Sequence, residues 1–99
     1  MEHSQFIVKV LEEAREERGI SIAELARRTN MSDDSLGNLL RGKRSLYGEE
    51  LIVLAIELEV PIWKIIPPEL WDLKGDKVKR VLEPRGQRYM PQGSGRSAR

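Results

Sequence analysis

Three basic side chains lie within four residues near the middle of the chain, at Arg41, Lys43 and Arg44. Cationic groups spaced this closely can bind phosphate, although the same spacing also occurs in an ordinary solvated loop. Two adjacent carboxylates, Asp33 and Asp34, precede them in the sequence. At the start of a helix such carboxylates stabilise the helix through their interaction with its dipole, whatever other role they have. The chemistry that these residues offer is binding through charge and hydrogen bonds.

The sequence lacks the groups that covalent or metal chemistry needs. It contains no cysteine, and its single histidine, His3, lies near the N-terminus, where we expect a solvated side chain. No glycine-rich phosphate loop and no cluster with metal-ligand spacing is present, and adjacent carboxylates such as Glu12 and Glu13 are typical of a solvated helix face. We therefore expect no enzyme activity, catalytic residue, metal, cofactor or small-molecule substrate.

Length and charge predict one small domain with a basic tail. The chain has 99 residues, of which 39% are hydrophobic and 33% are charged. Residues 1–73 carry nine Lys or Arg against fourteen Asp or Glu, whereas residues 74–99 carry eight against two. Residues 84–99 are rich in Gly, Pro and Arg and are expected to be disordered, so ordered structure should lie within about residues 4–82. By charge, the predicted domain at 4–73 is followed by a basic, largely disordered tail at 74–99. The absence of a long apolar run or a signal segment predicts a cytoplasmic protein with no membrane partner.

Apolar residues recur with a helical period and without strand-like alternation, which predicts an all-α fold. A first helix over about residues 4–18 ends at Gly19. Ser21 and Glu24 form a capping box for a second helix, and Ser32 is the N-cap of a third that ends near Arg41. The remaining predicted elements are a fourth helix opened by Glu49 and Glu50, a short fifth helix at 62–66 between Pro61 and Pro67, and a further turn at 69–73.

Only Asn30 and Met31 separate the second and third helices, so these two helices must cross sharply, as in a helix-turn-helix. The chain resembles the phage-repressor-like (Cro/repressor, XRE-type) helix-turn-helix family over about residues 5–66. The matching residues are Arg15, Gly19-Ile20-Ser21, Glu24-Leu25-Ala26, Met31-Ser32, Leu36, Arg41-Gly42-Lys43, Leu54-Ala55, Leu58, Val60 and Ile65. The resemblance implies a five-helix, lambda-repressor-like domain that binds double-stranded DNA, and a dimeric transcriptional repressor on a palindromic operator.

By this resemblance the third helix is the recognition helix. The implied DNA-binding residues on it are Ser32, Asp33, Asp34, Ser35, Gly37 and Asn38. Ser35 would reach a phosphate or a base, while Arg41, Lys43 and Arg44 would hold the phosphate backbone. The implied core residues are Leu25, Ala26, Met31, Leu36, Leu39, Leu51, Leu54 and Leu58. For the two aspartates the alternative is a purely stabilising role, and Gly37 either allows close approach to a partner or is merely tolerated.

Some residues depart from the family pattern. Ile22 stands where many relatives carry a glutamine that binds a phosphate. Leu40 replaces an acidic residue that pairs, in some relatives, with the arginine matched by Arg15. We therefore expect Arg15 to pair with Glu12 or Glu16, or to reach water. Arg27 and Arg28 are expected to be solvated or ion-paired on the second helix rather than DNA contacts.

The chain carries more large apolar residues than one small core requires. Ile52, Val53 and Ile56 remain once the core stripe of the fourth helix is assigned, and a second group follows at Trp63, Ile66, Leu70, Trp71 and Leu73. Either this later segment folds over the fourth helix and completes the core, or it forms a twofold homodimer interface. The predicted interface residues are Trp63, Ile66, Leu70 and Trp71.

The same residues are also consistent with a second function. The acidic balance of residues 1–73 favours a protein-interaction module of antitoxin or adaptor type, which would bind a partner through the third helix or the Trp cluster. The basic run at Arg41, Lys43 and Arg44 favours DNA instead.

Overall fold

The computed structural model describes residues 3–82. Contacts within the chain divide it into two units after Pro68. The first unit contains α1 (His3–Arg18), α2 (Ile22–Thr29), α3 (Asp33–Leu40), α4 (Gly48–Glu57) and a 3₁₀ helix (Ile62–Ile65), whereas α5 (Pro68–Leu82) lies almost wholly in the second. All regular structure in residues 3–82 is helical, which confirms the predicted all-α class.

The N-termini of α2 and α3 form where their serine caps predict. Ser21 Oγ accepts a hydrogen bond from the backbone N–H of Glu24 at 3.0 Å, and Ser32 Oγ accepts one from Ser35 at 3.1 Å. Each cap satisfies a backbone donor that the first turn of a helix leaves without an intrahelical partner. The start of α3 is therefore fixed by its own sequence.

The first four helices end in the same way, with a left-handed residue that closes the last turn. These residues are Gly19, Asn30, Gly42 and Glu59, with φ of 69°, 59°, 76° and 55°. In each case the next residue donates its N–H to the carbonyl five positions earlier, as Lys43 does to Asn38 at 2.8 Å. Glycine and asparagine adopt this conformation readily, but a β-carbon at Glu59 is strained there.

One leucine-rich core holds the first unit together. Its fully buried large side chains are Leu11, Leu25, Leu36, Leu39, Leu54 and Leu58. The helix α2 packs against α3 and α4, and α1 packs against α3 and the 3₁₀ helix. Of the implied core residues, Met31 and Leu51 lie only at the edge of this cluster and are half-buried.

Two elements differ from the sequence prediction. The short fifth helix is a 3₁₀ helix, because the segment between Pro61 and Pro67 is too short to develop an α-helix. The expected turn after it is instead the fifteen-residue α5, which has a kink at Lys74 (φ −137°, ψ 34°). Glu69 in the first turn of α5 and Lys79 in its last turn have charges that interact favourably with the helix dipole and so stabilise the helix.

The predicted division at residue 73 remains a prediction, although residues 74–82 are helical. The disorder predicted for residues 84–99 lies outside the described residues.

Candidate nucleic-acid interface

The α2–turn–α3 segment presents one polar face beside one apolar face. Leu36, Leu39 and Leu40 are buried and hold α3 against the core. Asp33, Asp34 and Asn38 are exposed on the other side, so their polar groups are available to a ligand. The tight turn through left-handed Asn30 joins α2 to α3, and Met31 donates to Ala26 at 2.9 Å within it. The buried leucines thus fix α3 to the core while its polar face stays exposed.

The two serines predicted for this surface lie at its start and differ in burial. Ser32 is exposed, and its hydroxyl oxygen caps α3. Ser35 is half-buried, and its carbonyl oxygen accepts a hydrogen bond from Arg44 Nε at 3.0 Å. Ser35 therefore serves as an anchor for the loop that follows α3, in addition to any contact that its hydroxyl makes.

Gly37 is buried, although its neighbour Asn38 is exposed. A β-carbon built on Gly37 would lie 3.1 Å from Arg41 Nη2 and 3.4 Å from Nη1. The Arg41 guanidinium thus occupies the space that a side chain at position 37 would need. The sequence placed both residues in the site, but it gave no sign that they lie against each other.

Arg44 is committed to contacts within the protein. Its Nη1 and Nη2 donate to the two Glu50 carboxylate oxygens at 3.0 and 2.9 Å, and Nη1 also donates to the Ser45 carbonyl at 2.8 Å. The Glu50 hydrogen bond raises the pKa of Arg44, and Arg44 in turn lowers the pKa of Glu50. Arg44 thereby ties α3 to the start of α4, where Glu50 accepts from the Tyr47 N–H at 3.1 Å. The bidentate pair with Glu50 could not be read from the sequence.

Arg41 and Lys43 are the remaining cations of the predicted phosphate-binding segment. Both are exposed, and neither forms an ion pair with any side chain in residues 3–82. Of the three basic residues, these two therefore have charge available for an external anion.

The arginines of α2 are ion-paired, which is one of the two states predicted for Arg27 and Arg28; that they make no DNA contact stays a prediction. Both guanidinium groups donate to Glu24, and Arg28 also lies 3.4 Å from Glu57. Hydrogen bonds from Arg27 and then Arg28 lower the pKa of the Glu24 carboxyl to about 2.

The departures at Leu40 and Ile22 have structural explanations. Arg15 binds both Glu12 carboxylate oxygens, at 2.9 and 2.6 Å, and donates to the Ile20 carbonyl at 2.6 Å. The predicted pairing of Arg15 with a neighbouring carboxylate is confirmed, and it leaves Leu40 to join the core. Ile22 packs against the same core, so it supplies apolar contact where many relatives have a polar side chain.

An apolar surface lies on α4 and the 3₁₀ helix. Its exposed members are Ile52, Val53, Ile56, Ile62 and Trp63, of which Ile56 is 71% exposed and Trp63 is 57% exposed. Ile52, Ile56 and Ile62 also border a groove of about 540 Å³. Of the other predicted interface residues, Ile66 is half-buried in the first unit, and Leu70 and Trp71 are half-buried in the second. The sequence did not single out Ile62.

Within residues 3–82, no cluster of three or more histidine, aspartate or glutamate side chains could hold a metal ion. No helix within the same residues has the length and apolarity required to cross a membrane.

Comparison with protein families gives one result that bears on this geometry. A family model described as helix-turn-helix matches residues 11–62, which is half of the chain and includes α2, the turn and α3. No curated protein and no solved structure gives a match.

Proposed function

The chain belongs to the Cro/repressor-like (XRE-type) helix-turn-helix family and is a DNA-binding transcription regulator; from this premise we propose that it represses transcription by binding a palindromic operator as a homodimer. The observation that carries the proposal is the exposed polar face of α3 beside two unpaired cations. A dimer bound near a promoter would exclude polymerase by occupying its site. Two half-sites also raise affinity without any new contact chemistry.

In the complex that we propose, α3 lies in the major groove. Asp33, Asp34 and Asn38 face base edges, and the aspartates accept hydrogen bonds from the N4 amino group of cytosine. The same carboxylates repel the acceptor edge of guanine, so they discriminate as well as attract. Arg41 and Lys43 bind phosphates, which fixes the position of the domain on the duplex.

Arg44 has a different role in this proposal from the one that the sequence suggested. Because its guanidinium is held by Glu50 and two carbonyls, it positions the loop that carries Lys43. Its contribution to DNA binding is then indirect.

Selection of binding sites from random duplexes tests the function directly. The expected result is enrichment of a palindrome, and failure to enrich any sequence would contradict the proposal. Lys43→Ala should weaken binding about equally on all sequences and reduce the slope of log affinity against log salt by about one unit. Lys79→Ala is the matched control, because it removes the same charge from an exposed position on α5, outside the unit that carries Lys43.

For the dimer, we propose that the apolar surface of α4 and the 3₁₀ helix meets its own copy. Exposed apolar patches of this kind mark interaction sites, and a twofold interface uses the same patch on both subunits. Trp63 is suited to the centre of such an interface, because large aromatic side chains contribute most to binding energy there. Ile66, Leu70 and Trp71 were predicted as interface residues from the sequence, and their part in a dimer stays a prediction.

Sedimentation of Ile56→Asp and Trp63→Ala tests the dimer. Both side chains are more than half exposed, so these changes should lower the sedimenting mass while leaving the fold intact. Val81→Asp is the control, because Val81 is equally exposed but lies on α5. A wild-type protein that sediments as a monomer at about 100 μM, where even weak specific dimers form, would exclude this interface.

A protein-interaction module is the second candidate, and the exposed acidic start of α3 favours it. Asp33 and Asp34 suit a basic partner segment better than a phosphate backbone. This function would give partner binding with no enrichment of a DNA sequence, so site selection distinguishes the two candidates.

A further inference from the structure

Gly37 lies inside α3, four residues before Arg41, so the two residues share one face of the helix. An ideal β-carbon on Gly37 would lie within 3.5 Å of the Arg41 Cζ, Nη1 and Nη2 atoms. The whole guanidinium group therefore rests on the bare backbone at position 37. Glycine in a helix interior lowers helix stability relative to alanine. The contact with Arg41 is therefore made at a position where a residue with a side chain would give a more stable helix.

The other glycines in the described residues show that this arrangement is particular to position 37. Gly19 and Gly42 have positive φ, so their backbone conformation accounts for them. Gly48 and Gly75 have open space around an added β-carbon. Gly37 has a helical φ and is the glycine whose missing side chain is replaced by another residue's charged group.

We propose that Gly37 is a positioning residue that seats the Arg41 guanidinium against the exposed face of α3. This inference rests on the proposed DNA-binding function. A seated arginine has already lost part of its rotamer freedom, so binding a nucleic acid acceptor costs less entropy than it does for a side chain that moves freely. Lys43 is exposed in the loop beyond Gly42, and the atoms nearest to the β-carbon position of Gly37 all belong to Arg41.

The competing explanation is that Gly37 lets DNA itself approach the helix backbone. The two explanations differ in whether the effect of a side chain at position 37 depends on Arg41. If Gly37 acts through Arg41, filling position 37 has no further effect on DNA binding once Arg41 is absent. If Gly37 makes room for DNA, the effect persists without Arg41.

The test is a double-mutant cycle on the full chain with an operator duplex obtained by site selection. Gly37→Ala requires the guanidinium to move by a few tenths of an ångström, whereas Gly37→Gln fills the seat. We expect both variants to raise the urea midpoint of unfolding, because both residues favour helix. Affinity should fall slightly for Gly37→Ala and by about three- to tenfold for Gly37→Gln. In the Arg41→Ala background neither change should weaken binding further.

Gly48→Ala is the matched control, because its β-carbon meets no atom within 4 Å and its effect on DNA affinity should be nil. A full loss for Gly37→Gln in the Arg41→Ala background would overturn the proposal in favour of close DNA approach. If Arg41→Ala weakens binding but Gly37→Gln does not, the seat is refuted while the DNA-binding function stands.

An NMR measurement on the protein without DNA tests the contact itself. The expected result is a nuclear Overhauser effect between the Gly37 α-protons and the Arg41 side chain. Its absence would refute the seat independently of any binding assay. If no DNA binds at all, the proposed function and the positioning role both fail. A nuclear Overhauser effect between Gly37 and Arg41 would then show only that the two residues pack together.

Discussion

The contact between Arg44 and Glu50 predicts a large loss of stability from one substitution. Arg44→Met retains a side chain of similar length but removes the charge and all four hydrogen bonds. The two side chains are 22% and 18% exposed. Exposed ion pairs contribute at most about 1 kcal/mol, whereas removal of one partner from a fully buried pair costs about 3–5 kcal/mol. Since this pair is mostly buried, we expect Arg44→Met to lower the free energy of unfolding by about 2–3 kcal/mol.

Urea unfolding followed by circular dichroism at several pH values measures this effect. Arg44 lowers the pKa of Glu50, so the pair stabilises the fold above the ordinary glutamate pKa and loses that contribution as pH falls through the lowered value. The difference in free energy of unfolding between wild type and Arg44→Met should therefore become smaller as the pH is lowered. Arg27→Met is the matched control, because the Arg27 side chain is 71% exposed and its loss should lower the free energy of unfolding far less than Arg44→Met does.

DNA binding by Arg44→Met distinguishes a positioning role from direct phosphate contact. We expect the salt dependence of affinity to keep its slope, even if the affinity itself falls. A loss of stability no greater than that of Arg27→Met would refute the energetic argument. A slope shallower by about one unit would show that Arg44 neutralises a phosphate.

Three other predictions concern stability and specificity. Glu59→Gly should raise the free energy of unfolding by about 0.5–1 kcal/mol relative to Glu59→Ala, because glycine removes the left-handed strain; equal urea midpoints would contradict this. Changing Asp33 and Asp34 together to Asn should lower thermal stability slightly, strengthen binding to random duplexes and relax selection at one or two base pairs; lost stability with unchanged affinity would show that both residues only favour the helix dipole. Glu12→Gln should cost about 1 kcal/mol in urea unfolding while exposed Glu13→Gln costs little, and equal losses would refute the role given to the Glu12 pair.

Features that depend on a few neighbouring residues were predictable from the sequence. The serine caps of α2 and α3 follow from the residue types at their first turns, and the short turn between the helices follows from their spacing. The pairing of Arg15 with Glu12 is of the same kind, because residues three apart on a helix are neighbours.

Features that depend on the path of a loop were not predictable. Arg44 reaches Glu50 only because the connection between α3 and α4 brings their ends together, and the run of three basic residues suggested one shared role. The length of α5 was not predicted, because only a turn at 69–73 was assigned and the change to basic charge was interpreted as the start of the tail at residue 74. The contact of Arg41 with Gly37 depends on the rotamer of a long side chain, which the spacing of residues does not determine.

The near-balance of charge around α3 has a consequence for the way the protein finds its site. Asp33 and Asp34 oppose Arg41 and Lys43, while Arg44 is neutralised by Glu50. The surface formed by α3 and the loop after it then releases few counterions on random duplex. Its contribution to binding away from the operator should be small, so the discrimination that this surface makes between operator and random DNA should depend on base contacts rather than on charge.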